Sequence, residues 1–301
     1  MFKKTKPWLS AFRLRTLPLS VSGIIIGSCF AHYNGKFDGY IMLFAILLTI
    51  ALQVLSNIAN DYGDGIKGTD NDDRIGPARA IQSGTITPEE MYDGIKMNVL
   101  VVIVLTVSLI FVSFGSKYLF YALLFFLLSG LSVFAAINYT VGSSPYGYRG
   151  LGDVFVFIFF GLLSVIGSYF LYTKQLDHHI VLPAVALGFL SMGVLNLNNM
   201  RDINSDALAG KETLAVKLGR RKAKIYHITL IILAIIVSFV FSILYYSRPT
   251  IFLFYIAYIP MIIHIIKVYK TVEPRNYDPQ LKVLALSTFL FAVLLGVGYI
   301  L

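Results

Sequence analysis

Charge is scarce in this chain. Only 14% of its 301 residues are Asp, Glu, Lys or Arg, where a soluble domain carries about 25%. A protein dissolved in lipid needs that shortage, because a charge at the bilayer centre costs about 2.5–3.5 kcal/mol on the insertion scale. Cysteine is nearly absent. Cys29 stands alone in an apolar run, which excludes a disulfide framework and a thiolate metal site and leaves it a packing role. Histidine is sparse too. His32, His178, His179, His227 and His264 show no ligand spacing beside the acidic clusters described below and read as structural or interfacial. No Ala-x-Ala-type processing site follows the first apolar run, which reads as a membrane span and not as a cleaved leader.

Hydrophobic residues make up 57% of the chain. Nine stretches free of Asp, Glu, Lys and Arg are long enough to cross a bilayer: 16–35, 39–60, 97–116, 118–148, 154–173, 180–200, 225–247, 249–266 and 283–301. Such a crossing takes about 20 apolar residues. The expected fold is therefore an all-α, multi-pass membrane bundle of nine helices, built as one domain over 1–301 with the bilayer as its solvent. The formal charge of +9 invites a nucleic-acid reading, but its distribution excludes one. With the N-terminus in the cytoplasm, all of the 25 Lys and Arg residues except Lys36, Lys117, Lys174 and Arg248 fall on the inner face, a clear positive-inside bias.

The acids cluster as sharply as the bases. The second span ends in Asn57-Ile58-Ala59-Asn60-Asp61-Tyr62-Gly63-Asp64, and the sixth in Asn198-Asn199-Met200-Arg201-Asp202-Ile203-Asn204-Ser205-Asp206. Helical residues three and four apart are neighbours, so Asn57, Asp61 and Asp64 share one face, as do Asn198, Asp202 and Asp206. Both clusters follow an even-numbered span and lie on one side of the membrane. Facing carboxylates repel unless a cation sits between them. Mg²⁺ suits such a site, taking a few carboxylates and completing its shell with water and phosphate oxygens. Helix capping would account for a single Asp pair; two matched clusters favour metal binding. An ion-transport route is the other reading, since intramembrane carboxylates often mark one, but these acids sit at helix ends among bases typical of phosphate sites. Lys67, Arg74 and Arg79 follow the first cluster; Arg201 and Lys211 accompany the second. Arg220, Arg221, Lys222 and Lys224 stand directly before a span and read as topology determinants.

The run from Asn60 to Asp70, Asn-Asp-Tyr-Gly-Asp-Gly-Ile-Lys-Gly-Thr-Asp, resembles the first Asp-rich motif of the UbiA superfamily of membrane prenyltransferases. Asn198 to Asp206, continued by Ala209-Gly210-Lys211 and Thr213-Leu214-Ala215, resembles the second. Within that superfamily the segment from Asp73 to Gly84, Arg15-Thr16-Leu17-Pro18, Tyr139-Thr140-Val141-Gly142 and Gly150-Leu151-Gly152-Asp153 look like the branch whose acceptor is 1,4-dihydroxy-2-naphthoate.

The resemblance implies a UbiA-type bundle with the Asp-rich motifs at the cytoplasmic ends of helices 2 and 6, in a bacterial cytoplasmic membrane. It implies Mg²⁺-dependent transfer of a polyprenyl group from polyprenyl diphosphate to 1,4-dihydroxy-2-naphthoate, with loss of CO₂ and diphosphate, to give demethylmenaquinone. In that scheme Asp61, Asp64, Asp202 and Asp206 hold the metal. Asn57, Asn60 and Asn198 support that shell and, with Lys67, Arg74, Arg79, Arg201 and Lys211, bind the diphosphate. Tyr139 and Asp153 join the catalytic set, and Asp70, Asp72 and Asp73 either extend the metal site or cap a loop helix. Another aromatic acceptor, such as 4-hydroxybenzoate, and a cation-coupled transporter are the alternatives. Prenyl length and oligomeric state are not encoded in any of these motifs.

Overall fold

The computed structural model describes residues 4–70 and 75–301. Among them every regular element is helical, and nine helices are long and apolar enough to cross a membrane. A short amphipathic helix, α1 (Thr5–Phe12), precedes α2 (Leu17–Tyr33), with Arg13 between them in the left-handed region at φ 50°. The remaining spans are α3 (Gly39–Ile66), α4 (Pro88–Phe114), α5 (Leu119–Asn138), α6 (Gly152–Thr173), α7 (His178–Arg201), α9 (Leu214–Leu244), α10 (Pro249–Lys270) and α11 (Pro274–Ile300). Between α7 and α9 lies the short α8 (Ile203–Leu208). An all-helical answer is what lipid imposes, because each helix satisfies its own backbone polar groups.

Several spans differ in length from their charge-free stretches. The third begins at Pro88 and not at 97, because Thr87 and Glu90 form a reciprocal capping box that starts the helix among charged residues. The fourth ends at Asn138, ten residues short of its charge-free limit, where Tyr139 to Pro145 form turns. Absence of charge marks what can lie in lipid; caps and breakers mark where helices stop. Inside α9 the backbone leaves helical geometry at Gly219, so the basic run from Arg220 opens a fresh helical segment.

Burial separates the inner spans from the lipid-facing ones. In α7, 61% of the most apolar stretch is buried, against 6% in α5. α7 packs on α6, α9 and α11, while α2 lies along α11 and α3 along α4. Membrane helices approach most closely where side chains are small. Gly161 of α6 meets Gly188 of α7 so closely that a Cβ on Gly161 would stand 2.6 Å from the Gly188 Cα.

Contacts at the two ends confirm that successive spans alternate in direction. At one end, Asn34 after α2 donates to the Tyr169 hydroxyl near the close of α6 (2.7 Å), and Arg248 before α10 donates to the carbonyl of Leu301 after α11. At the other end, Lys211 reaches Asp64 and Arg201 reaches Asp278. The two acidic clusters share that second end.

Candidate active site

The last turns of α3 carry the first cluster. Asp64 accepts from the Tyr148 hydroxyl at 2.8 Å and pairs with Lys211 Nζ at 3.1 Å. Beyond Ile66 the chain doubles back. The amides of Thr69 and Asp70 both donate to the Asp64 carbonyl, at 3.0 and 3.4 Å, which returns the Asp70 carboxyl to the cavity of Asp64. The close approach of Gly63 to Thr140 fixes the neighbouring turn, since a Cβ on Gly63 would fall 2.5 Å from Thr140 Oγ1. Thr140 then bonds the carbonyl of Ala59 and the side chain of Asn60.

The second cluster is built at the α7–α8 junction. Arg201 is buried and forks onto Asp202, with Nε 2.8 Å from Oδ1 and one terminal nitrogen 2.6 Å from Oδ2. That same nitrogen also donates to Asn198 Oδ1 at 3.0 Å, and the other terminal nitrogen meets Asp278 of α11 at 2.6 Å. The backbone amides of Asp206 and Lys211 donate to the carbonyls of Asp202 and Asp206 at 2.9 and 2.8 Å. This turn carries Lys211 across to Asp64, so one side chain from the second cluster is bonded to the first.

A small polar cavity results, walled by Asp64, Thr69, Asp70, Arg79, Asn198, Asp202, Ser205, Asp206 and Lys211. It shares Asp64, Arg79, Asn198 and Lys211 with a much larger, mostly apolar cavity of about 680 Å³ between α2, α3, α5, α6, α7 and α11. Burial disfavours the Lys211 charge, but Asp64 and Asp206 outweigh it and hold its pKa above the ordinary lysine value. The polar cavity offers carboxylate and amide oxygens with no sulfur or imidazole, the donor set of a hard cation. Arg79 and Lys211 add the charge that a phosphate group requires.

The profile of the "UbiA prenyltransferase family" matches residues 20–297. The chain belongs to that family. It is 41% identical over 298 residues to a 1,4-dihydroxy-2-naphthoate octaprenyltransferase of Haemophilus influenzae, covering 98% of this chain and 96% of the relative. To the protein of the same name from Escherichia coli it is 46% identical over 228 residues, covering 76% of this chain and 73% of the relative. A solved UbiA homolog from Archaeoglobus fulgidus, bound to GPP and Mg²⁺, shares the fold at TM-score 0.71 and 15% identity, over 98% of this chain and 99% of that one.

Within this UbiA-family fold the residues singled out from sequence take different places. Asn57, Asn60, Asp64, Arg79, Tyr139, Asn198, Arg201 and Lys211 line the larger cavity, and Asp202 and Asp206 line the polar one. Asp61, expected to hold metal, meets backbone in the structure. Its two oxygens accept the backbone amides of Ala80 and Ile81, at 3.1 and 3.4 Å, and it lines neither cavity. Lys67, expected to bind diphosphate, meets backbone as well. Its ammonium donates to the Thr140 carbonyl at 2.6 Å and lies over the Tyr148 ring, outside both cavities. Asp153 is buried and accepts from the Tyr226 hydroxyl at 3.1 Å. Asp72, Asp73 and Arg74 lie outside the described residues.

The Tyr139 ring borders the larger cavity edge-on to Tyr146 at 5.3 Å, and burial pushes its hydroxyl up to about 12. Sequence reasoning missed Asp278 and Lys282, which bring the start of α11 to the cavity. Asp278 directly precedes Pro279 and reads as an ordinary helix start. Its bond to Arg201, 77 positions away, leaves no trace in local spacing.

Proposed function

We propose that this protein transfers a polyprenyl group from polyprenyl diphosphate to 1,4-dihydroxy-2-naphthoate, releasing diphosphate and CO₂ in menaquinone synthesis. The observation that carries the reading is the meeting of Asp64, Asp70, Asp202 and Asp206 with Arg79 and Lys211 at the polar end of an apolar cavity. The identity to naphthoate octaprenyltransferases over most of the chain supports the acceptor.

Asp64, Asp70, Asp202 and Asp206 are the residues that would hold Mg²⁺, with Asn60 and Asn198 beside them; the all-oxygen set fits that ion. Magnesium bound there would supply positive charge to the diphosphate oxygens as the C–O bond breaks. Arg79 and Lys211 neutralise the same leaving group from the cavity wall. Arg201, already forked onto Asp202, sets the orientation of that carboxylate. The apolar walls take the prenyl tail and exclude water from the allylic cation. Tyr139 stays neutral at ordinary pH, so its ring face can shield that cation without a phenolate to trap it. The electron-rich acceptor ring forms the new C–C bond, and its carboxylate leaves as CO₂. The product is demethylmenaquinone in its hydroquinone form. The positive-inside bias of the basic residues supports a site on the cytoplasmic side of a bacterial cytoplasmic membrane, within one domain over 1–301.

Purified protein in detergent, supplied with Mg²⁺, a polyprenyl diphosphate and one acceptor at a time, tests the reading. Product from 1,4-dihydroxy-2-naphthoate and none from 4-hydroxybenzoate is expected. The reverse pattern overturns the acceptor, and no product from either in folded protein overturns the reaction.

A further inference from the structure

At the end of the bundle away from the Asp-rich cavity, Asp177 directly precedes α7, and His178 and His179 open it. The 24 residues of α7 put roughly 36 Å between the two ends at about 1.5 Å per residue. Asp177 Oδ1 lies 2.6 Å from His179 Nδ1 and 3.6 Å from His178 Nδ1. One ligand atom from each of the three residues falls within 4.8 Å of the others. The side chains are reachable from water, with His178 74% and His179 35% exposed.

The cluster is also supported from behind. Asp177 Oδ2 accepts from the Tyr169 hydroxyl at 3.4 Å, and that hydroxyl accepts from Asn34 Nδ2 at 2.7 Å. The amide of His179 donates to Asp177 Oδ1 at 2.9 Å. The two imidazoles lie 4.2 Å apart centroid to centroid, and Tyr245, just past α9, packs 4.4 Å from the His179 ring. Partners of this kind fix ligand orientation in metal sites. They come from the ends of α2, α6 and α9.

We propose that Asp177, His178 and His179 form a binding site for a divalent transition metal of the zinc type. Two imidazole nitrogens and one carboxylate oxygen suit zinc and its neighbours, whereas Mg²⁺ prefers oxygen alone. Three protein ligands leave a fourth zinc position for water. A bound ion would tie the start of α7 to α2 and α6 through Asp177, Tyr169 and Asn34, stiffening the end of the bundle remote from prenyl transfer. The inference is independent of that reaction.

Titration of tag-free, full-length protein in detergent with Zn²⁺, in excess Mg²⁺ so that the Asp-rich cavity does not compete, tests the site by calorimetry and by thermal melting. One ion per chain and a zinc-dependent rise in melting temperature are expected. The His178→Ala/His179→Ala protein should melt like the parent without zinc, keep prenyl transfer, and lose both zinc effects. Tyr169→Phe should weaken binding about tenfold, as the loss of an orienting partner does. Should the double variant fold poorly, Asp177→Asn replaces it with the same expectation. The proposal is overturned if the parent gives no zinc heat, or if these variants bind zinc with the parent's stoichiometry and affinity.

Discussion

Asp61 and Asp64 stand three residues apart on α3, yet their surroundings differ, and their asparagine variants should separate accordingly. Asp61 is buried and holds the amides of Ala80 and Ile81. Hydrogen bonds to a charged acceptor are worth about 1.5–3 kcal/mol each, and Asn keeps one acceptor oxygen of the two. Asp61→Asn should therefore cost about 1.5–3 kcal/mol of stability, and the segment carrying Arg79 should loosen. Turnover falls as Arg79 is misplaced, but the Mg²⁺ concentration giving half-maximal rate stays near the parent value. Asp64→Asn removes a carboxylate from the polar cavity itself, so the Mg²⁺ requirement should rise at least tenfold. The assay is initial rate against Mg²⁺ for both variants, beside thermal melting in detergent. An Asp61→Asn protein whose Mg²⁺ requirement rises as far as that of Asp64→Asn would refute the division of roles.

Two further outcomes follow from the same contacts. Lys211→Gln leaves Asp64 buried without its cation, and breaking a buried pair costs about 3–5 kcal/mol; the melting temperature should drop, with partial rescue by Asp64→Asn in the double variant, and no drop would remove Lys211 from the account. Tyr139 has a hydroxyl pKa raised from 10.0 to about 12 by burial, so below pH 10 it is neutral in folded and unfolded chains alike. Between pH 10 and 12 only the unfolded chain ionises, and stability should fall across that window. Difference absorbance of the phenolate, parent against Tyr139→Phe, reports it, and a titration centred at the ordinary tyrosine value would contradict the burial.

Much of this molecule was legible in its sequence, for identifiable reasons. The nine spans follow from where charge is missing, and the common side of the two clusters from counting spans. The meeting of the clusters is realised in the Lys211–Asp64 contact. Helical spacing gives the face that Asp61 occupies and not the backbone amides that meet it there. The segment at 80 and 81 closes over that carboxylate, while Asp70, beyond the helix, is brought in by the turn after Ile66. Lys67 points to the Thr140 carbonyl for a similar reason: its surroundings are set by a turn about 70 residues away. The Arg201–Asp278 contact joins α7 to α11, and no local pattern records it.

Release of CO₂ from carboxyl-labelled 1,4-dihydroxy-2-naphthoate, measured against diphosphate release with polyprenyl diphosphate and Mg²⁺, tests the central claim most directly. One CO₂ per diphosphate is predicted, with both lost when the metal is chelated and both reduced together in Asp64→Asn at the Mg²⁺ concentration that serves the parent. Diphosphate released without CO₂, or CO₂ released at full rate after chelation, would contradict it.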